Sequence, residues 1–186
     1  AADIAARADA LAAAWTPDFA DQLATPGGAL GTSQQHVDLV TNGAIEALAI
    51  MVKTKLDTPL GNLTGAAVDP TLLESRFAGR AREDLTTDLA AVWAVYHGAD
   101  AQAEPEGIAV LVRDVDAALD DRVHVQHDSA VQALAAIPAP IADALTTDRI
   151  AVQFARDEID TLRRMLKLDV ASALGVTLAL SDNDGD

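Results

Sequence analysis

The sequence contains no cysteine, which excludes disulfide bonds, thiolate metal sites and cysteine nucleophiles. Aromatic residues make up only 3% of its 186 residues, whereas 50% are hydrophobic. Much of that hydrophobic fraction is alanine, which favours closely packed helices over a β-sandwich. No run of about 18 apolar residues occurs, so we expect no transmembrane segment.

Basic residues are also scarce: 13 Lys and Arg stand against 29 Asp and Glu, which gives a formal net charge of −16. A chain this acidic repels phosphate backbones, so we expect no nucleic-acid partner. The charge favours binding of a cation or of a basic partner, or it serves only to keep the surface solvated. The sequence opens AADIAARADALAAAW, a helical pattern in which no signal peptide is visible.

Apolar residues recur every three or four positions along most of the chain, which predicts amphipathic helices. A first helix over about 1–23 should break at Thr16-Pro17, because proline disfavours helical geometry in the residue before it. Thr32 or Ser33 is expected to cap the second helix. The predicted helices after the first cover about 33–55, 72 or 85 to 96, 106–125, 129–136 and 147–174. We therefore predict an all-α fold: an up-and-down four-helix bundle with one or two extra short helices and an extended C-terminal tail.

Two of these helices carry well-defined apolar stripes that we expect to face the core. In the helix over 106–125 the stripe is Ile108, Leu111, Val115, Leu119 and Val123. In the last helix it is Ala155, Ile159, Leu162, Leu166, Val170 and Leu174.

The chain ends LGVTLALSDNDGD, an apolar strip followed by three aspartates. Gly175 is expected to end the last helix in a left-handed conformation, with Val176 folded back onto the last turn. We expect 176–180 to lie extended along the bundle and to cover a seam. The aspartates are candidate oxygen ligands for a hard cation, or they form a solvated acidic terminus; they are Asp182, Asp184 and Asp186.

Several short motifs follow one another along the chain: Trp15, Lys55–Gly61 (KLDTPLG), Glu74–Phe77 (ESRF), Asp84-Leu85, Tyr96–Gly98 (YHG) and the terminal Leu174-Gly175 and Asp184-Gly185-Asp186. Taken in this order, they resemble the imelysin-like family of bacterial envelope proteins. Two departures stand out. Ala78 and Ala81 replace serines of the family pattern, and the family's Gly-x-His-x-x-Glu is missing, since no His-x-x-Glu occurs anywhere in this sequence.

The resemblance implies a helical domain of a protein linked to iron uptake, located in the periplasm or at the cell surface. Because the Gly-x-His-x-x-Glu motif lies in the N-terminal half of the family, we expect 1–186 to be a single domain forming the C-terminal half of a longer protein. A divergent protein that has lost the motif is the alternative. The implied partners are a metal ion, an envelope iron-uptake protein and an N-terminal helical half.

The densest polar cluster is the predicted binding site, and in the family this segment faces the cleft between the two halves. Its residues are Glu74, Ser75, Arg76, Arg82 and Asp84. An arginine can hold an anion bidentately, and Glu74 can bind a metal or a partner group. The alternative is an ion-pair network at a helix start, with Ser75 as a cap.

His124 and His127 are a second pair of candidate metal ligands. They lie three residues apart with acidic residues nearby, a spacing that can bind zinc or iron on one helix face. The predicted end of the helix near Val125 and the frequency of surface histidines beside acids weigh against ligation. The resemblance makes iron the first candidate metal, ahead of zinc and calcium.

Three functions follow as hypotheses. The first is a non-catalytic domain that binds metal, a metal complex or a partner during iron uptake. The second is part of a metallopeptidase whose His-x-x-Glu half is absent. This sequence has no His-Glu-x-x-His, Gly-x-Ser-x-Gly or phosphate-binding loop, which weighs against an enzyme. The third is a structural interaction domain, which an exposed apolar face on the first or last helix would favour.

Overall fold

A computed structural model of the protein describes residues 2–14, 21, 25, 27, 31–100 and 104–179. These residues form helices, turns and irregular segments without a β-strand, so the predicted all-α class is confirmed. The up-and-down four-helix arrangement is a finer statement that stays a prediction. The chain divides into two compact units, 1–40 and 41–186.

Seven α-helices lie in the described part of the chain. They are α1 (Ala2–Ala14), α2 (Ser33–Ala49), α3 (Ala81–Tyr96), α4 (Ile108–Val115), α5 (Ala117–Ala136), α6 (Ile141–Thr147) and α7 (Arg149–Arg164). α2 continues as a π-helix over Ile50–Asp57 and a final turn over Thr58–Leu60, and α7 continues in the same way over Met165–Val170 and Ala171–Ala173. A 3₁₀-helix covers Pro70–Leu72.

Thr32 is the predicted cap of α2 and is confirmed. Its hydroxyl oxygen accepts a hydrogen bond from the backbone N–H of Gln35 at 3.2 Å, and the Gln35 side chain accepts one from the Thr32 N–H at 2.8 Å. This reciprocal pair is a capping box. Earlier in the chain, α1 is exposed at every residue over 3–14. Trp15 and the predicted break at Thr16-Pro17 lie outside the described residues.

The predicted helix over 106–125 is wrong in its extent, and its predicted stripe is only partly buried. The chain breaks at Asp116, whose φ of −150° and ψ of 89° are not helical and whose carboxylate accepts a hydrogen bond from the Leu119 N–H at 2.9 Å. Ile108, Leu119 and Val123 are buried as predicted, whereas Leu111 and Val115 are 41% and 63% exposed.

The predicted gap after Val125 is also wrong. α5 runs without interruption through His124 and His127 to Ala136, where Ile137-Pro138 ends it as expected. The short helix α6 over Ile141–Thr147 was not predicted.

The last long helix agrees with its pattern. Asp148 caps α7 by accepting a hydrogen bond from the Ala151 N–H at 3.2 Å. The stripe residues are buried except Leu174, which is partly buried; the buried ones are Ala155, Ile159, Leu162, Leu166 and Val170. α7 packs more extensively on α5 than any other pair of elements does in the described chain.

The C-terminal turn follows the prediction. Gly175 has a φ of 64°, and the Val176 N–H donates to the Ala171 carbonyl at 2.8 Å, which closes a Schellman motif. Residues 176–179 have no regular secondary structure, and the Asn42 side chain on α2 bonds to the Thr177 carbonyl and the Ala179 N–H, each at 2.9 Å. The tail therefore lies against α2. Asp182, Asp184 and Asp186 lie outside the described residues.

One apolar core extends through the second unit. Fully buried leucines dominate it, and each contributes about 1.5–3 kcal/mol by leaving water; they include Leu48, Leu56, Leu60, Leu85, Leu89, Leu134 and Leu145. Gly61 ends the α2 extension at a φ of 74°, where a β-carbon would collide with the Ala66 carbonyl. No single described helix is long and apolar enough to cross a membrane, and α5 and α6 meet the length and composition test only together, across an 87° bend.

Candidate functional site

The loop between the 3₁₀-helix and α3, residues 73–80, carries three of the predicted binding residues, and we call it the Phe77 loop. Asp69 fixes its approach, because the Asp69 carboxylate accepts hydrogen bonds from the Thr71 hydroxyl at 2.7 Å and from the Thr71 N–H at 2.9 Å. Both bonds lower the pKa of Asp69, and the bond from the Thr71 hydroxyl has the larger effect. Ser75 has a φ of 53°, and its carbonyl accepts the Ala78 and Gly79 N–H groups at 3.0 Å. Ser75 thus closes a turn within the loop and does not cap α3.

Glu74 is held by an ion pair. The Lys55 ammonium lies 2.7 Å from a Glu74 carboxylate oxygen and 2.7 Å from an Asp88 carboxylate oxygen, so it ties the loop to α3. Burial lowers the pKa of Lys55, but hydrogen bonds to Asp88 and Glu74 outweigh it and the pKa is raised. The Glu74 carboxylate is therefore one arm of a three-residue charge cluster.

Phe77 is 92% exposed, the most exposed of the large apolar side chains in the described residues. The guanidinium of Arg76 lies 4.4 Å from the centre of its ring, a cation–π contact. Arg76 also donates to the Thr71 carbonyl at 2.9 Å. The loop thus presents an aromatic ring and an arginine together at the surface.

Arg82 and Asp84 lie beyond the loop, in the first turn of α3. Arg82 donates to the Ile137 carbonyl at 2.9 Å, and its other terminal nitrogen is 3.9 Å from Glu83. Asp84 is partly buried, and its N–H donates to the Arg80 carbonyl at 2.9 Å. Within the described chain no hydrogen bond or ion pair joins any two of the five predicted residues, so they form a loop group and a helix-start group.

A second polar region surrounds Trp93 on α3. We call it the Trp93 cluster; its rings are Trp93, Tyr96, His97, His124 and His127. The indole stacks on His127 with centroids 3.8 Å apart and an interplanar angle of 12°. His97 and Tyr96 lie at 5.3 Å and 5.4 Å, and His124 meets the indole edge-on at 4.8 Å.

Asp120 anchors this cluster and is fully buried. Its carboxylate accepts hydrogen bonds from the Tyr96 hydroxyl at 2.9 Å and from Arg113 at 3.1 Å, while its backbone carbonyl lies 2.9 Å from the His124 Nδ1. Burial, with the negative charge of Asp120, raises the pKa of Tyr96. Burial lowers the pKa of His127 against the opposing effect of Asp128.

His97 is the C-cap residue of α3; it is buried, and its Nδ1 has no hydrogen-bond partner in the described structure. His124 and His127 share α5 and both contact Trp93. Among the described residues no group of three or more His, Asp or Glu side chains is arranged to hold a metal ion. Ligation by His124 and His127 stays a prediction.

A third region joins the π-helical end of α2 and the turn after it to α7, and we call it the arginine network. It consists of Asp57, Asn62, Arg156, Asp160, Arg163 and Arg164. Arg156 donates two hydrogen bonds to Asp57, both at 2.8 Å, in a bidentate pair that raises the pKa of Arg156. Arg163 and Arg164 each reach Asp160 at 2.8 Å. Burial raises the pKa of Asp160, but the Arg163 hydrogen bond and the surrounding arginines outweigh it and the pKa is lowered.

Sequence reasoning missed the arginine network, although it leaves a signal. Asp57 and Asp160 each directly follow a core residue, Leu56 and Ile159, at the flank of an apolar stripe. Arginines stand four residues before Asp160 and three and four residues after it, which is the spacing of neighbours on one helix face. An acid at that position, surrounded by arginines, indicates a buried ion pair.

Together the helices and these three regions define an all-α fold with two buried polar regions and one exposed loop that carries an aromatic ring and an arginine. The sequence profile of the imelysin family, peptidase M75, matches residues 1–167. The chain therefore belongs to the imelysin family. No curated protein sequence matches it.

Two solved structures share the fold. An imelysin peptidase from Bacteroides ovatus superposes with a TM-score of 0.73 at 20% identity, over 83% of this chain and 44% of that one. An iron-regulated protein A precursor from Parabacteroides distasonis ATCC 8503 gives a TM-score of 0.68 at 21% identity, over 77% of this chain and 43% of that one. The chain thus spans less than half the length of the structures it matches.

Proposed function

We propose that this chain is a non-catalytic recognition domain of an imelysin-family protein that takes part in iron uptake at the bacterial envelope, in the periplasm or at the cell surface. The observation that carries the proposal is Phe77, which is 92% exposed with Arg76 stacked at 4.4 Å. Aromatic and arginine side chains are the residues enriched where interfaces concentrate their binding energy. The name of one similar structure, an iron-regulated protein A precursor, supports an exported, iron-related role.

The geometry favours a protein partner over a metal ion at this loop. A metal at Glu74 has to compete with the Lys55 ammonium, which lies 2.7 Å from the carboxylate. Phe77 and Arg76 instead face outward on a loop that ion pairs and backbone bonds already hold in place, so binding costs little ordering entropy. The partner surface that fits this pair is an apolar pocket rimmed by carboxylates. An N-terminal helical half of the same protein is one such partner, and an envelope iron-uptake protein is another.

The test of the partner uses a photo-crosslinking amino acid at position 77 of the full-length protein in iron-starved cells. The matched control carries it at Val125, which is 71% exposed on α5. We expect one discrete adduct from position 77, none from position 125, and slower iron-limited growth with Phe77→Ala. Identical adducts from both positions, with normal growth of Phe77→Ala, would overturn the proposal.

The metal alternative has its own measurement. A ligand that binds only the folded chain raises its melting temperature. Thermal shifts with iron(II), iron(III), zinc and calcium are compared between the wild type and Glu74→Ala. No shift in either is the expected result, and a rise of several degrees with iron that Glu74→Ala removes would replace the partner hypothesis with a metal site.

A structural interaction domain is the second candidate, because the first and last helices carry exposed apolar residues. Ile150 and Phe154, one turn apart on α7, are 82% and 53% exposed, and Ile4 and Leu11 on α1 are 72% and 63% exposed. If α7 docks on another helical domain or on a second copy, Ile150→Asp with Phe154→Asp abolishes that association in sedimentation velocity runs while Phe77→Ala does not. The metallopeptidase alternative requires a His-x-x-Glu that this sequence lacks.

A further inference from the structure

Two adjoining cavities lie between α3 and α5, and we call them together the α3–α5 groove. The first has a volume of about 260 Å³ and is walled by the stacked Trp93 and His127 together with small or aliphatic side chains, among them Ala90 and Val131. The second has a volume of about 420 Å³ and is bordered by Arg82, Glu83 and Ala135. Thr86 lines both cavities, which therefore adjoin on the same face of α3.

The two ends of this groove differ in chemistry. The Trp93 end is apolar and aromatic, and small alanines leave its mouth open between the helices. At the other end one terminal nitrogen of the Arg82 guanidinium donates a hydrogen bond to the Ile137 carbonyl. The other terminal nitrogen lies 3.9 Å from Glu83, which is beyond hydrogen-bond length. An arginine has five N–H donors, so this guanidinium retains the capacity to hold a carboxylate.

The length of the groove sets the size of its ligand. Arg82 and Trp93 are both on α3, and at ~1.5 Å of rise per residue they lie about 16 Å apart along the helix axis. An extended chain advances about 1.3 Å per carbon–carbon bond of about 1.5 Å, so about ten to thirteen carbon atoms span most of this length. We propose that the α3–α5 groove binds an elongated amphipathic carboxylate, with its apolar body between Trp93 and Val131 and its carboxylate on Arg82.

This site does not depend on the proposed function, because it shares no residue with the Phe77 loop. The positive charge of Arg82 also favours an anionic ligand. In a chain of net charge −16 an anion is disfavoured at most of the surface, so an anionic ligand binds only where an arginine meets an apolar surface. Glu83 is the competing anion, and the ligand carboxylate replaces its long contact to Arg82.

The experiment measures binding of 11-(dansylamino)undecanoate by the rise in its directly excited fluorescence, and then its displacement by decanoate or by neutral 1-decanol. We expect saturable binding, with decanoate displacing the probe at least about tenfold better than 1-decanol, since the charged hydrogen bond to Arg82 contributes about 1.4 kcal/mol or more. Arg82→Gln should remove this preference and leave the affinity for 1-decanol unchanged.

A pair of adjacent substitutions provides the control. Ala90→Trp fills the groove, whereas Ala91→Trp is on the same helix and exposed but does not line it. We expect the first to abolish probe binding and the second to preserve it, with circular dichroism showing both folded. Absent binding, equal affinities in the two tryptophan variants, or a decanoate preference that survives Arg82→Gln would each overturn the proposal.

Discussion

The arginine network and the Trp93 cluster both bury carboxylates, and they do so by different means. Asp57 and Asp160 are 2% and 3% exposed and are surrounded by three arginines. Asp120 is 0% exposed and contacts one arginine, the Tyr96 hydroxyl and the imidazole of His124. The first region balances its charge with opposite charge, and the second relies largely on neutral hydrogen bonds and stacked rings.

The difference predicts different sensitivities to substitution. Removing one partner of a buried ion pair leaves an uncompensated charge, which costs more than the pair contributed. Removing one neutral donor leaves a carboxylate that keeps its other partners, and the loss is that of a single hydrogen bond. The following substitutions test this contrast in order of expected size.

Arg156→Ala should have the largest effect. It removes both 2.8 Å bonds to Asp57 and leaves that carboxylate in the core with only the Asn62 amide at 2.7 Å. We expect a loss of about 3–5 kcal/mol in the free energy of unfolding, measured by urea denaturation. Arg164→Ala is the control, because Arg164 is 65% exposed and its bond to Asp160 is one of several; its cost should stay near ~1 kcal/mol or less. Equal losses in the two variants would show that burial of the Asp57 pair is unimportant.

Tyr96→Phe should have an intermediate effect. It deletes the hydroxyl that donates to Asp120 at 2.9 Å and keeps the ring that stacks near Trp93. We expect a loss of about 1–3 kcal/mol in unfolding free energy. Thr86→Val removes an exposed hydroxyl bonded to the Arg82 carbonyl at 2.9 Å and should change stability by less than ~0.5 kcal/mol. A Tyr96→Phe cost as large as that of Arg156→Ala would erase the contrast between the two regions.

The sequence alone predicted those elements whose hydrophobic period is unbroken. The stripe of α7 and the turn at Gly175 follow from one continuous period and one glycine, and the structure confirms both. The α4–α5 segment failed because Asp116 breaks the period with a local hydrogen bond to the Leu119 N–H, and a hydrophobic pattern does not show whether a side chain will cap.

The candidate sites were harder to predict for a related reason. Lys55, Glu74 and Asp88 come together only in the folded chain, as do Trp93, His97 and His127. A single sequence shows which residues are polar, but it does not show which polar residues share a helix–helix contact. The predicted cluster at 74–84 therefore stays a prediction as a binding site, and the division between its loop and helix-start groups required tertiary structure.

The pH dependence of stability should also distinguish the arginine network from the Trp93 cluster. Its effect on stability should be the smallest of those predicted. Burial lowers the pKa of His127 below its ordinary value of 6.5. Just below that pH the unfolded chain binds a proton at this imidazole and the folded chain does not, so stability falls as the pH drops below about 6.5. Linkage limits one proton to about 1.4 kcal/mol per pH unit. The pKa of Asp160 is lowered from 3.8, so its contribution persists through this range and is lost only as the pH falls further, through its folded pKa.

Melting temperatures between pH 7 and pH 5 should therefore report on His127 in the Trp93 cluster and not on Asp160. His127→Gln should flatten the decline, because the buried imidazole is gone. Asp128→Asn should steepen it, because Asp128 favours the protonated His127 from 3.4 Å. If His127→Gln leaves the slope unchanged while Asp160→Asn flattens it, the acid-sensitive group lies in the arginine network. Charge compensation would then be the weaker of the two ways in which this fold buries a carboxylate.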